Sequence, residues 1–309
     1  MQRYLIIIIG PTAIGKTALA IELAKRFSTE IISCDSRQFF KEMTIGTAVP
    51  SEEELAAAPH HFIQNKSIFS HYNVGEFMEE AHEKLKELFA KNPVQIMVGG
   101  SGLYVNAMLY GIDEFPEVSQ EIKDKIERKY SEEGLVFLQR ELKEKDPDYF
   151  EHLTKENPQT LQNPQRMQRF LAVCCAADAP YSSFLNRQKN ELPYTPILVG
   201  LTADREKMYE RINKRVDIMM QNGLLKEAEQ LYPHRDLNAL QTVGYRELFD
   251  YFDGKVSLDE AVENIKTNTR RFAKRQKTWF KRYENVLWFD YQMPVDEIFD
   301  EINNHIPTS

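Results

Sequence analysis

The sequence Gly10-Pro11-Thr12-Ala13-Ile14-Gly15-Lys16-Thr17 has the spacing G-x-x-x-x-G-K-[ST] of a phosphate-binding loop. An unbroken apolar run over residues 4–9 precedes it and predicts a buried parallel strand, and a helical apolar pattern follows it. Glycines at both ends of the loop let backbone N–H groups turn toward phosphate oxygens, and the helix N-terminus adds partial positive charge. We therefore expect Lys16 to bind the terminal oxygens of a pyrophosphate and the Thr17 hydroxyl to bind Mg²⁺. An ordinary strand–helix turn that carries glycines by chance is the alternative, and the motif leaves open which molecule carries the pyrophosphate.

The composition limits the class of protein. The 309-residue chain has 42% apolar and 28% charged residues and a net charge of −8, and it is long enough for two domains. No apolar run approaches the roughly 20 residues that cross a bilayer. Its three cysteines form neither a disulfide framework nor a metal-finger spacing. We expect a reduced, cytoplasmic protein without a membrane partner. The acidic net charge disfavours a nucleic-acid partner unless cations are gathered in a local patch.

Further strands are predicted by apolar runs over residues 30–34, 94–98, 197–201 and 286–290. The first of these runs directly into Asp35-Ser36-Arg37-Gln38, and the second into Gly99-Gly100-Ser101-Gly102. Ligands of open parallel sheets collect at the carboxyl ends of the strands. Asp35 is therefore expected to face the same crevice as the phosphate-binding loop, although a carboxylate in this place can also do no more than cap a following helix.

Residues 116–195 differ in character from the rest, because short helical stretches are broken by prolines and no run is typical of a strand. We predict an α/β fold like that of P-loop NTPases, a parallel sheet with flanking helices and an inserted all-helical subdomain. The predicted domains are the first part of the core (1–115), the helical insert (116–195) and the second part of the core with a basic C-terminal helix (196–309). The helix after residues 197–201 is expected to hold Arg205 level with the phosphate-binding loop, while Arg211 and Arg215 point outward.

Residues 266–282 contain eight Lys or Arg residues and no Asp or Glu, with Phe272, Trp279 and Phe280 among them. A solvated cationic helix is one interpretation of this pattern. A basic, aromatic-bearing stripe on an acidic protein favours contact with a nucleic-acid backbone instead.

The adjacent His60 and His61 invite a metal site. No Cys or carboxylate lies at ligand spacing from them, so we prefer a structural or substrate-loop role.

Together these residues resemble the tRNA dimethylallyltransferase family (tRNA isopentenyl-adenosine synthases). The resemblance covers nearly the whole chain. The phosphate-binding loop alone would be unspecific, whereas nine blocks in the family's order are highly specific. The blocks are Gly10–Thr17, Asp35–Gln38, Ile45–Ala48, Pro59–His61, Gly99–Tyr104, Gln165–Arg169, Arg211–Asp217, Gly244–Glu247 and Arg270–Phe280.

The resemblance implies transfer of a dimethylallyl group from dimethylallyl diphosphate to N6 of the adenosine 3′-adjacent to the anticodon of a tRNA. It also implies that the loop holds dimethylallyl diphosphate rather than a nucleotide. Lys16, Mg²⁺ on Thr17 and Arg205 would neutralise the departing diphosphate. Asp35 would be the general base that takes the proton of the amine.

By the same resemblance, Ser101 contacts the diphosphate or the target base, and Gln38 reads the adenine edge. The implied partners are the tRNA anticodon stem-loop and dimethylallyl diphosphate, and we expect the chain to act as a monomer. The departures from the family's usual pattern are Arg37 for methionine, Ser101 for threonine, Pro164 for aspartate, and the segment 170–173. The expected tRNA contacts are Asp35, Ser36, Arg37, Gln38, Ser101, Lys123, Gln165, Arg166, Met167, Gln168, Arg169, Arg271, Lys274 and Lys277.

Three other activities share parts of this pattern. A small-molecule or nucleotide kinase has the same loop and sheet, but it turns over ATP and needs no cationic helix. Transfer of the prenyl group to free AMP would require neither the long insert nor the basic helix. An RNA-binding protein with a phosphate-binding loop but no catalysis would not need Asp35 and Ser101 at the strand ends.

Overall fold

The apolar run before the phosphate-binding loop is an inner strand of a parallel sheet. The computed structural model describes residues 2–185 and 191–307. Within them, six parallel strands are arranged in the order β3-β2-β4-β1-β5-β6. The strands are β1 Tyr4–Ile9, β2 Ile31–Ser33, β3 His60–His61, β4 Val94–Val98, β5 Thr195–Thr202 and β6 Leu287–Asp290.

Helices flank this sheet and make up the regular structure between β4 and β5. In chain order they are α1 Lys16–Phe27, α2 Glu52–Ala57, α3 Val74–Phe89, α4 Gly102–Tyr110, α5 Gln120–Glu133, α6 Leu135–Lys145, α7 Pro147–Glu156, α8 Pro164–Ala177, α9 Arg205–Gln221, α10 Leu224–Leu231, α11 Tyr245–Phe252, α12 Leu258–Phe280 and α13 Val295–Asn304. The predicted fold class, a parallel α/β sheet with flanking helices and inserted helices, is confirmed.

Both faces of β1 are covered, which explains its unbroken apolar sequence. Successive side chains of a strand point to opposite faces. The even-numbered residues of β1 pack in one core with α1, α9 and α13, and the odd-numbered residues pack in another with α3 and α4. All six residues of the strand are buried as a result. A sheet covered in this way exposes ligand-binding backbone at the strand ends and nowhere along its faces.

A third core supports the chain that follows β2. Phe40, Met43 and Ile68 from that chain pack against apolar residues of α10, α11 and α12. This core fixes the segment between β2 and β3, which carries several polar side chains of the site described below.

The chain divides into two compact units, Met1–Tyr110 with Glu191–Ser309, and Gly111–Asn190. The second unit contains α5 to α8, which pack around the fully buried Leu138, Leu142 and Met167. Prolines do not interrupt these helices but begin them, because Pro147 and Pro164 stand in the first turns of α7 and α8. Proline is tolerated at that position, where its missing N–H would have no helical partner.

His60 and His61 form an edge strand of two residues that pairs with β2. Within residues 2–185 and 191–307, no group of three or more His, Cys, Asp or Glu side chains is placed to hold a metal ion. No helix in the same part of the chain is long and apolar enough to span a membrane.

Candidate active site

The phosphate-binding loop has a backbone that its glycines make possible. Gly10 has φ +148°, and a Cβ added there would lie 2.8 Å from the carbonyl oxygen of Leu201. Gly15 has φ +109° and immediately precedes α1. Both conformations are strained for other residues. The loop therefore connects the end of β1 to the N-terminus of α1 with the backbone conformation typical of an anion-binding turn.

A cavity opens beside this loop and collects residues from the ends of β2 and β4. Asp35, Lys16 and Thr17 lie in its wall, as do Gln38 and Thr12, so the structure brings together five residues that the sequence singled out. The complete lining is Thr12, Lys16, Thr17, Ser33, Asp35, Gln38, Thr47, Pro50, His60, Ile63, Val98, Gly99 and Arg215.

The charges around this cavity favour an anion. The pKa of the Lys16 ammonium group is lowered to about 8, chiefly because the group is buried; the Asp35 carboxylate opposes this shift and the nearby Arg215 adds to it. Burial likewise lowers the pKa of the Arg215 guanidinium, again against Asp35. The Lys16 ammonium group donates a hydrogen bond to the Pro11 carbonyl at 2.8 Å. Two cations thus face one carboxylate, and a bound anion would relieve their mutual repulsion.

Arg215, rather than Arg205, lies in the cavity wall. The exposed Arg205 donates to the Tyr209 hydroxyl at 3.1 Å and is not among the lining residues, which corrects the expectation that it faces the loop. Arg211 donates to the Ala13 carbonyl at 2.8 Å, so it also lies on the loop. The signal in the sequence was the spacing of Arg211 and Arg215, because residues four apart share one face of a helix.

Asp35 takes part in a turn while it faces the cavity. Its carboxylate accepts the Arg37 N–H at 3.3 Å, and its carbonyl accepts the Gln38 N–H at 3.0 Å. Residues 36–39 form a turn and not a helix, so Asp35 does not cap one.

Ser101 supports the same turn from β4. Its hydroxyl accepts the Ser36 N–H at 3.0 Å and donates to the Ser36 hydroxyl at 3.1 Å. Ser101 is not among the cavity-lining residues. In this structure it positions the turn after β2.

Arg37 is bound within the protein. Its guanidinium donates to the carbonyls of Asn238 and Ala239 at 3.0 and 3.1 Å. Burial lowers the pKa of the guanidinium, which the nearby Tyr104 and Asp35 oppose. Its side chain thus anchors the turn, whereas the sequence predicted a tRNA contact.

The orientation of Gln38 is fixed by its amide group. The amide nitrogen donates to the carbonyls of Thr47 and Ala48 at 3.1 and 2.9 Å. Two carbonyl acceptors also settle which end of the amide is nitrogen. The amide oxygen, which accepts no hydrogen bond from the described residues, is the group that Gln38 can offer to a ligand in the cavity.

Glu227 holds the loop that carries these two carbonyls. Its carboxylate accepts the N–H groups of Thr44, Ile45 and Gly46 at 3.1, 2.8 and 2.9 Å, and the Tyr245 hydroxyl at 2.7 Å. Gly46 is required there, because a Cβ added to it would lie 2.6 Å from the Tyr245 ring. Sequence reasoning missed Glu227, since α10 is remote in sequence from the loop that it binds.

His60 presents an acceptor in the cavity. Its Nδ1 lies 2.8 Å from the Ala58 carbonyl, so that nitrogen carries the proton, and Nε2 is buried without a partner among the described residues. Burial lowers the pKa of His60, which favours the neutral ring. The free Nε2 is therefore a hydrogen-bond acceptor for a ligand.

One face of α12 is cationic and exposed. Lys266 is ion-paired with Asp217 and Glu263, each at 2.9 Å. Phe272 is 39% exposed among the cations. Arg270 donates to the side chains of Asn213 and Thr267 at 2.6 and 2.9 Å. The other six cations of residues 266–282, in α12 or just after its end, have no acidic partner within the described part of the chain: Arg271, Lys274, Arg275, Lys277, Lys281 and Arg282.

The predicted tRNA contacts of the second unit differ in how exposed their side chains are. Lys123, Gln165, Arg166 and Arg169 are exposed, and Gln168 is half-buried and donates to Glu127 at 2.6 Å. Met167 is fully buried in the core, which corrects its assignment as a contact, because it faces the other helices.

A buried parallel strand, a left-handed glycine turn and a lysine at a helix N-terminus define a phosphate-binding α/β protein of the P-loop type. The model of a family described as IPP transferase matches residues 38–283, and the chain belongs to this family.

Relatives match over full length. The chain is 62% identical over 308 residues to the tRNA dimethylallyltransferase of Flavobacterium johnsoniae and 53% identical to that of Christiangramia forsetii, covering 100% of both chains in each case. It is similar to the tRNA isopentenylpyrophosphate transferase structure from Bacillus halodurans, with TM-score 0.70, 35% identity and coverage of 99% of this chain and 96% of that one. A eukaryotic dimethylallyltransferase structure shares the fold, with TM-score 0.83 at 24% identity, covering 100% of this chain and 81% of that one.

Replacing Glu227 by Gln should loosen the loop at residues 43–48. The substitution keeps the size but turns one acceptor into a donor that faces N–H or O–H groups. We expect the free energy of unfolding to fall by about 1–3 kcal/mol. Amide hydrogen exchange over residues 43–48, followed by mass spectrometry, should be about tenfold faster or more.

Glu229→Gln is the matched control, because Glu229 is exposed on the same helix. It should change neither quantity appreciably. Unchanged exchange in Glu227→Gln would contradict the role assigned to this carboxylate.

Proposed function

We propose that this chain transfers the dimethylallyl group of dimethylallyl diphosphate to N6 of the adenosine 3′-adjacent to the anticodon in tRNA. The products are diphosphate and N6-(dimethylallyl)adenosine. Family membership and full-length relatives named for this activity support the proposal. The observation that carries it is the cavity itself, in which Lys16 of the phosphate-binding loop and Arg215 of α9 lie beside Asp35, the one carboxylate of the lining.

The loop side of the cavity suits a leaving diphosphate. As the allylic C–O bond breaks, negative charge accumulates on the diphosphate. Lys16, Arg215 and the N–H groups at the start of α1 are already in place to stabilise that charge. Burial lowers the pKa of Lys16. A bound anion would raise that pKa again and so favour the charged ammonium group.

Thr17 fits a role as the protein ligand of Mg²⁺. Its hydroxyl lies in the cavity wall in the first turn of α1, beside Lys16. Mg²⁺ commonly takes one or two protein oxygens together with substrate phosphates and water, so a larger protein cage is not needed. When bound, the ion neutralises charge on the diphosphate.

The acceptor side suits an amine. The new bond joins N6 to the allylic carbon as the bond from that carbon to the diphosphate oxygen breaks, and one N6 proton leaves. The Asp35 carboxylate accepts that proton. The Gln38 amide oxygen accepts a hydrogen bond from the N–H that stays, and His60 Nε2 offers a further acceptor.

The cationic face of α12 suits the phosphate backbone of the RNA. Apart from the ion-paired Lys266, its cations have no carboxylate partner among the described residues, and Phe272 among them offers an aromatic surface. The adenosine has to leave its stack to enter the cavity, and a single-stranded loop keeps that cost to a few kcal/mol or less.

A single assay tests the proposal. The protein is incubated with Mg²⁺ and labelled dimethylallyl diphosphate, and tRNA, AMP and ATP are offered separately as acceptors. We expect label in tRNA alone, with diphosphate released in equal amount. Label in AMP would favour the nucleotide prenyltransferase, and ATP turnover without label transfer would favour the kinase.

Replacing Asp35 by Asn should lower kcat by about 10²–10⁴-fold, the usual contribution of general acid–base catalysis. The amide keeps the size and an oxygen that can accept the Arg37 N–H. The Kd for tRNA should therefore change little. Asp236→Asn, at an exposed site outside the cavity, is the control. A parallel loss of tRNA binding in Asp35→Asn would show a structural role instead.

Replacing Arg271, Lys274 and Lys277 together by Ala should weaken tRNA binding and flatten its salt dependence. Each lost phosphate contact reduces the slope of log K against log salt concentration by about 0.7–0.9. If all three contacts are lost, we expect the magnitude of the slope to fall by about 2–3. A control with the same loss of charge replaces Lys86, Lys207 and Lys226, which are exposed elsewhere. Equal slopes in the two variants would reject α12 as the backbone contact.

A further inference from the structure

A second cavity lies entirely within the helical unit. It is open to solvent and has a volume of about 500 Å³, within the roughly 300–1,000 Å³ typical of small-ligand sites. Residues of α7, of the 3₁₀ turn Pro158–Gln162 and of α8 form it. The lining is Tyr149, His152, Leu153, Asn157, Thr160, Gln165, Arg166, Arg169 and Phe170.

The floor of this cavity is aromatic and rigid. Phe170 is buried, and Tyr149 packs edge-on against it with ring centroids 5.3 Å apart. Tyr149 also packs on the buried Tyr181, with centroids 5.0 Å apart. The His152 ring lies beside Tyr149 at 6.3 Å and is inclined to it by only 21°. The two rings are therefore nearly parallel, and contacts with Phe170 and Tyr181 set the position of Tyr149.

The rim is polar and cationic. Asn157 and Gln165 are exposed and contribute amide groups, which both donate and accept hydrogen bonds. Arg166 and Arg169 are also exposed, and neither has an acidic partner among the described residues. Arg166 instead donates to the Thr160 hydroxyl at 3.2 Å, which holds its guanidinium at the edge of the cavity. No carboxylate lies in the lining.

We propose that this cavity binds an unstacked nucleobase of the anticodon loop, a nucleotide other than the one that is modified. This inference rests on the proposed function, because it specifies how the same RNA is held. The base stacks on Tyr149 and His152, the amides of Asn157 and Gln165 bind its edge, and the two arginines bind the adjoining phosphates.

The chemistry of the lining selects this ligand. Single-stranded RNA is recognised by stacking of splayed bases on aromatic rings, by hydrogen bonds to base edges and by cations along the backbone. All three kinds of group are present on one surface. An acidic peptide would use the arginines, but it would have no use for two nearly parallel rings with amides at their border.

A cycle of abasic substitutions tests the assignment. Anticodon stem-loop RNAs, each lacking the base at one loop position, are bound to the full-length protein and to His152→Ala. For one position we expect base removal to weaken binding of the unaltered protein by about tenfold, as base–aromatic stacking predicts. The same removal should cost His152→Ala less than about twofold, because its stacking surface is already lost.

Control variants separate this effect from damage to the fold. His152 is exposed, so His152→Ala should keep the circular dichroism and melting temperature of the unaltered protein. Thr154→Ala, exposed on the same helix and outside the cavity, should keep the tenfold penalty. Asn157→Ala repeats the test without touching the aromatic floor, and it should reduce the penalty at the same loop position.

Prenyl transfer to the intact stem-loop is measured in the same samples. One result is that transfer occurs while removal of the base weakens binding by the same factor in the unaltered protein and in both cavity variants, at every loop position. That result overturns the cavity assignment, and the proposed function stands. If no transfer to RNA occurs at all, the proposed function fails first. A penalty that disappears at one loop position only, in both cavity variants, supports the assignment.

Discussion

The buried amide of Gln276 is the interaction on which the site most depends. From α12, its oxygen accepts the Thr12 N–H of the phosphate-binding loop at 2.8 Å, and its nitrogen donates to the Gly100 carbonyl at 2.9 Å. One side chain thereby joins the loop after β1, the chain end after β4 and the helix with the cationic face. Gly100 has to be small, since a Cβ would lie 2.4 Å from the Gln276 nitrogen. Leaving either backbone group unpaired in this interior would cost about 1–3 kcal/mol.

The remainder of the site consists of charges held apart from their usual partners. Lys16 and Arg215 are both buried enough for the pKa of each to fall, and Asp35 is the carboxylate that opposes this effect for both. If each of the two cations had its own carboxylate partner, the cavity would have no net positive charge to attract a diphosphate. The free protein therefore has excess positive charge in the cavity. The hydrogen bonds of Gln276 and Arg211 to the loop oppose a rearrangement that would separate Lys16 from Arg215.

The parts predicted best from the sequence are those whose signal is local. The bounds of β1 and β4 agree with the predicted runs, because each is a short apolar segment that ends abruptly in glycine. β3 was not predicted as a strand, since two polar residues at a sheet edge have no periodicity to detect. Helical periodicity separated the apolar face of α9 from the polar face. It could not show that the polar face carrying Arg215 borders a cavity, and so the arginine expected there was Arg205.

The acceptor side of the cavity, formed by the chain after β2, is held by hydrogen bonds, whereas the loop side is dominated by the charges of Lys16 and Arg215. Ser101, Arg37 and Gln38 hold the chain after β2 at three points, and Glu227 fixes the loop against which Gln38 rests. Such groups lose little further freedom when a substrate arrives, because their rotamers are already set. On this side the chain is held by hydrogen bonds formed in advance, and the Asp35 carboxylate, the Gln38 amide oxygen and His60 Nε2 are the acceptors that face a ligand. The cations of the loop side suit an anion, and the hydrogen-bond acceptors of the acceptor side suit an N–H group. An allylic diphosphate beside an adenine amine supplies both.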